Sequence, residues 1–127
     1  MQQQATLYQQ YKTQALETLT NGEIVVKLFE EASKQVSMAI FLTNRQDSVK
    51  SYNCIAKAQK IISTLDHSLD MKYAISIELH DMYMFLFAKL SDAILNKDTE
   101  LMKELLGLID ELKVTFRQAD RIARTKK

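Results

Sequence analysis

The sequence predicts an all-α protein, an antiparallel up-and-down four-helix bundle with a short N-terminal arm, the arm covering residues 1–19 and the bundle residues 20–127 as a single domain. Three observations predict it. The chain has no proline and only two glycines, Gly22 and Gly107, so turn punctuation is scarce. Apolar residues recur at intervals of three and four through four stretches, each long enough for a helix of about 20 residues, while no strand-like alternation is sustained. The polar connectors between these stretches are short, which sets consecutive helices antiparallel.

Met1 to Leu19 is rich in Gln and Thr and offers only Leu7, Tyr8, Tyr11, Ala15 and Leu16 as apolar anchors. Their spacing allows one or two turns of marginal helix, and short helices need packing to persist. The segment therefore reads as an arm that docks on the bundle. Thr20-Asn21-Gly22-Glu23 fits a capping box, with Leu19 and Ile24 placed as its hydrophobic staple. The first long helix then runs to about Leu42, with Ile24, Leu28, Ala32 (or Glu31), Val36, Ala39 and Ile40 turned inward.

After the polar connector Thr43-Asn44-Arg45-Gln46, Asp47 or Ser48 caps a second helix with the apolar face Val49, Tyr52, Ile55, Ala58, Ile62, Leu65 and Leu69. Asp70 to Tyr73 makes a short connection and Ser76 is the expected cap of the third helix, which packs through Ile75, Leu79, Met82, Leu86, Leu90 and Ala93. Asn96-Lys97-Asp98 turns the chain, with Asp98 capping a fourth helix whose stripe is Leu101 or Met102, Leu105, Leu108, Ile109, Leu112 and Phe116. Gly107 lies inside that helix at a cost of up to about 1 kcal/mol of propensity, which suggests close approach of another backbone.

Composition bounds the function. Apolar content of 46% with 26% charge is that of a soluble globular chain. No run of about 18 apolar residues could span a bilayer, and Met1-Gln2-Gln3-Gln4 lacks the layout of a signal peptide. The single Cys54 suits a reducing compartment, so a cytoplasmic location without membrane insertion is expected. Di-iron bundles need Glu-x-x-His pairs, but the residues three places before His67 and His80 are Thr64 and Ile77. Two isolated glycines cannot build a phosphate loop, and neighbouring carboxylates such as Glu30-Glu31 diverge by about 100° on a helix. No enzyme activity, metal or cofactor is expected.

Net charge is +1, yet from Lys113 onward six basic residues face only Asp120. Cations in the last turns of a helix complement its dipole. They also open an alternative reading, a basic-tailed nucleic-acid-binding or regulatory helical protein, although no aromatic residue beyond Phe116 is present to stack on a base.

The informative surplus is apolar. Met82-Tyr83-Met84-Phe85-Leu86-Phe87 is apolar or aromatic all the way round a helix that should hide one stripe. Tight packing plus the arm covers it, or it forms a groove for an amphipathic partner segment. A homodimer through the same face is a third reading. Six methionines, with Met71, Met82 and Met84 near the third helix, would make such a groove adaptable.

Several stretches resemble the flagellar secretion chaperones of the FliS type. Thr20-Asn21-Gly22-Glu23-Ile24 followed by Leu28-Phe29-Glu30-Glu31-Ala32 is similar to that family's helix opening, with Asn21 in place of proline. Lys57-Ala58-Gln59-Lys60-Ile61-Ile62 with Leu65 and Leu69-Asp70 is the closest match. Tyr83-x-Phe85, Leu90, Ala93 to Asp98, and Phe116 where many members carry tryptophan follow in order, and Tyr11 with Tyr8 corresponds to an N-terminal tyrosine region. The resemblance implies a four-helix bundle that binds the disordered C-terminal segment of flagellin in the cytoplasm, prevents premature polymerisation and delivers it to export-gate components. Together with the apolar surplus, it implies client contact through Ala58, Ile61, Ile62, Leu65, Leu69, Tyr83, Phe87 and Leu90, with Leu7, Tyr8 and Tyr11 as a displaceable plug.

Overall fold

The computed structural model describes residues 21–125, which form α1 (Asn21–Asn44), α2 (Ser48–His67), α3 (Ala74–Leu95) and α4 (Thr99–Thr125). The arm of residues 1–19, with Leu7, Tyr8 and Tyr11, and the Leu19 and Thr20 parts of the expected staple and capping box lie outside the described residues. Successive helices are neighbours around the bundle and α4 closes against α1. The seams of α1 with α2 and with α4 are the most extensive; α3 meets α2 less closely, and the α3–α4 seam is the sparsest. This is the expected all-α four-helix bundle, with no strand among the described residues.

Two of the three connectors are built alike. At the end of α1, Asp47 N donates to Leu42 O (2.9 Å) and Gln46 N to Thr43 O (3.0 Å), while Gln46 sits at φ 62°. At the end of α3, Asp98 N donates to Ala93 O (2.8 Å) and Lys97 N to Ile94 O (3.3 Å), with Lys97 at φ 50°. Both are Schellman closures with a non-glycine residue in the left-handed position. The aspartate that ends each closure then starts the next helix: Asp47 Oδ1 accepts from Lys50 N (3.2 Å) and Asp98 Oδ1 from Leu101 N (3.0 Å). Ser76, expected to cap α3, instead lies buried in its first turn, its hydroxyl donating to Asp70 O at 2.6 Å. The N-cap of α3 is Tyr73, which makes no side-chain cap bond.

The core takes Phe29, Ala32, Val36 and Ala39 from α1, Ile55, Ala58, Ile62 and Leu65 from α2, Tyr83, Leu86, Leu90 and Ala93 from α3, and Met102, Leu105 and Ile109 from α4. Relative to the expected stripes, α1 is turned so that Phe29 enters while Leu28 is only partly buried. On α2, Val49 and Tyr52 are exposed, and Cys54, a free thiol, is buried with Ile55. On α3, Met82 is 37% exposed and Tyr83 only 1%, the reverse of the expected register. An aromatic cluster explains the reversal. Phe29 stacks on Phe116 (centroids 5.4 Å apart) and meets Tyr83 at 6.3 Å, so Tyr83 gains an aromatic contact with Phe29 at the inward position.

The close approach expected at Gly107 occurs at Gly22 instead. A Cβ on Gly107 would meet nothing within 4 Å, so no close backbone approach occurs there. A Cβ on Gly22 would lie 2.6 Å from Asp120 Oδ1, so the close approach is at the start of α1, against α4. Gly107→Ala is accordingly expected to stabilise the fold by about 0.5–1 kcal/mol in urea unfolding, whereas Gly22→Ala gains the same propensity but loses it to the clash.

Candidate functional site

At the end of the bundle where α1 begins, a cavity of about 310 Å³ is lined by Gly22, Val25, Leu65, Ser68, Leu69, Asp70, Leu79, Tyr83 and Phe116. All four helices and the α2–α3 connector contribute, and the walls are mostly apolar. The absence of a Cβ at Gly22 lets α4 close on α1 beside it.

The α2–α3 seam adjoining this cavity carries polar ties in addition to the core packing beneath it. Gln59 Nε2 donates to Phe87 O (2.9 Å) and to Ser91 Oγ (2.7 Å). Near the cavity, His80 Nδ1 donates to Asp66 Oδ1 at 2.6 Å. The Tyr83 phenol, one turn along α3, is pushed up to about 12 by burial and, secondarily, by the nearby Asp66 carboxylate. Because the folded state keeps this proton when the unfolded chain gives it up, the contribution is present below about pH 10 and is lost as pH rises toward 12. Ultraviolet titration should show one phenol ionising well after the others, with the urea midpoint falling through that window.

The outer surface of α3 keeps large apolar side chains among charged ones such as Glu78, Asp81 and Asp92. Ile77, Met84 and Phe87 are exposed, as are Met82 and Phe85, the latter with Lys89 Nζ 6.0 Å from its ring centroid. At the opposite end of the bundle Phe41, Val49, Tyr52 and Leu95 are also exposed, and the Arg45 guanidinium lies 5.3 Å from the centre of the Phe41 ring.

The eight residues expected to contact a client do not share one open face in this conformation. Ala58, Ile62, Leu65, Tyr83 and Leu90 are fully buried core residues, because the four inward stripes need their volume. Leu65, Leu69 and Tyr83 converge on the end cavity. Ile61 lies in a different place, the outer cleft between α1 and α2. Phe87, 37% exposed, borders the α2–α3 seam. Ile77 and Phe41 are exposed although no expected stripe or client set included them, because an isolated apolar residue near a helix end carries no periodic signal that separates surface from core.

The basic stretch of α4 is partly neutralised within the bundle. Arg117 Nη2 lies 2.8 Å from Glu30 Oε2, and Lys113 Nζ lies 3.4 Å from Asp110 Oδ1. Arg121 borders a cleft of about 330 Å³ whose walls include Glu23, Glu30 and Asp120, which sets it among carboxylates. No group of three or more His, Cys, Asp or Glu among the described residues could hold a metal ion. No described helix is long and apolar enough to cross a membrane.

Residues 3–123 match the family model described as Flagellar protein FliS. The chain is also 25% identical over 112 residues to the flagellar secretion chaperone FliS of Bacillus subtilis (strain 168), an alignment covering 88% of this chain and 84% of that protein.

Proposed function

Since this chain belongs to the FliS family of flagellar proteins, we propose that it is a flagellar secretion chaperone that binds the C-terminal segment of flagellin. It acts in the cytoplasm by masking that disordered segment, keeps subunits from polymerising early, and presents them to the export gate. Its work is binding, with no catalytic step and no cofactor. The observation that carries this reading is the family match along nearly the whole chain.

The molecule has suitable surface for such a client. A segment that later packs into a filament core brings an apolar face, and a chaperone must meet it with apolar surface that can adapt. The outward Met82, Met84, Phe85 and Phe87 of α3 supply it, with flexible thioethers among aromatic rings. Phe87 is the proposed outer contact, and Leu65, Leu69 and Tyr83 are reached through the end cavity. Ala58, Ile62 and Leu90 form the rigid layer beneath. Leu7, Tyr8 and Tyr11 are the proposed plug that yields to the client.

Calorimetric titration with the host's flagellin C-terminal segment tests the reading. Binding with a negative heat-capacity change is expected, because apolar surface is buried as the segment orders. No measurable binding would refute it. The nucleic-acid reading predicts steeply salt-dependent DNA or RNA binding that is lost on deleting residues 121–127; the Arg117–Glu30 and Lys113–Asp110 pairs count against it.

A further inference from the structure

The outer cleft between α1 and α2, about 320 Å³, is lined by Glu31, Gln35, Lys57, Lys60, Ile61 and Thr64. One of its residues is out of keeping with a solvated helix face. Gln35 is only 7% exposed, and its Oε1 is buried without any hydrogen-bond partner. Its Nε2 donates to Glu31 Oε2 at 2.7 Å, which assigns the amide orientation and holds the oxygen away from that carboxylate. Buried acceptors without a partner are rare because each costs the desolvation of the group. No described structural bond offsets that cost.

The surroundings of Gln35 say what would. Lys57 and Lys60 have no ion pair among the described residues, although they stand one turn apart on α2. Their aliphatic stems and Ile61 make apolar walls beneath the charged heads. Among the described residues the cleft thus offers an unused buried acceptor, two cations without an ion pair and an apolar floor.

We propose that this cleft is a second docking subsite of the chaperone, taking a stretch of the client that carries a carboxylate beside apolar side chains. An N–H of that stretch bonds to Gln35 Oε1 once the carboxamide turns from its buried position, exchanging the Nε2 bond to Glu31 for the client contact. The client's carboxylate lies between Lys57 and Lys60, and an apolar side chain covers Ile61. The subsite rests on the reading of this chain as a flagellin-binding chaperone. It shares no lining residue with the end cavity and is formed by α1 and α2 without any residue of α3. An extended or helical client therefore grips the bundle at two places.

Two variants of the full chain test it, titrated with the host's flagellin C-terminal segment at low and high salt. Gln35→Met keeps the shape but removes the unpaired acceptor, together with the Nε2 bond to Glu31, whose carboxylate solvent can satisfy instead. It is expected to melt at or above the wild-type temperature and to bind about 10-fold more weakly. Lys57→Gln combined with Lys60→Gln is expected to bind about 10-fold more weakly at low salt, with the deficit shrinking at high salt. The subsite is overturned if either variant binds as wild type does, or if Gln35→Met melts lower, which would make Gln35 a structural brace. If the wild-type chain itself does not bind the segment, the flagellin reading fails and the subsite with it; binding by wild type and both variants alike removes the subsite alone.

Discussion

Phe29→Ala is expected to destabilise the bundle by about 3–5 kcal/mol. Phe29 is 0% exposed and is the shared member of the aromatic cluster, stacked on Phe116 of α4 and tilted against Tyr83 of α3. Truncation removes the transfer free energy of the ring, leaves a cavity that three helices must close, and deletes both aromatic contacts. The effect is large because a domain of this size has only about 5–15 kcal/mol of net stability. Urea unfolding followed by circular dichroism should show the midpoint collapsing. Phe29→Leu, which refills most of the volume, should recover much of it. A loss below about 1 kcal/mol would mean that the α1 register is not the one described, since only surface positions are so tolerant.

The second large effect is on binding. Phe87→Asp is expected to weaken flagellin-segment affinity about 30-fold or more, roughly the 2 kcal/mol that defines an interface hot spot. The fold should survive, because the Phe87 side chain is exposed and the bond that ties this residue to Gln59 uses its backbone carbonyl. Val114→Asp, at an exposed apolar position on α4, is the matched control and should bind as the wild type does. Calorimetry on both variants, alongside their melting curves, separates a lost contact from a lost fold. Normal binding by Phe87→Asp would remove the outer surface of α3 from the client site.

The helices and their order were legible in the residues because period and punctuation agree. Asp98 was readable as a helix start, since a short acidic side chain following a polar turn has few other uses. The two Schellman closures were not readable, because Gln46 and Lys97 occupy left-handed positions where glycine is the usual sign. Gly107 sent the opposite message, marking a close approach that occurs at Gly22 instead.

The residues expected to meet a client divide along the same line. Ile61 and Phe87, read as surplus to a minimal stripe, lie outside the fully buried core, Ile61 partly buried against it and Phe87 exposed. Tyr83 was misplaced because it and Met82 stand about 100° apart, and either satisfies the three-or-four spacing with Leu79, Leu86 and Leu90. Gln35 gave no sign at all: a glutamine on a helix is ordinarily solvated, and only the packed α1–α2 seam makes its oxygen an orphan.

Residue order alone established four amphipathic helices, their antiparallel succession and an apolar excess on α3, because each follows from local period, caps and connector length. How far each helix is rotated about its own axis required the assembled bundle. A stripe of apolar residues tells a helix roughly which way is inward, within about one residue's turn of 100°. The remaining choice belongs to the neighbours: Phe29, itself stacked on Phe116, meets Tyr83 inside, Met82 turns outward in consequence, and the exposed apolar surface is whatever that packing does not use.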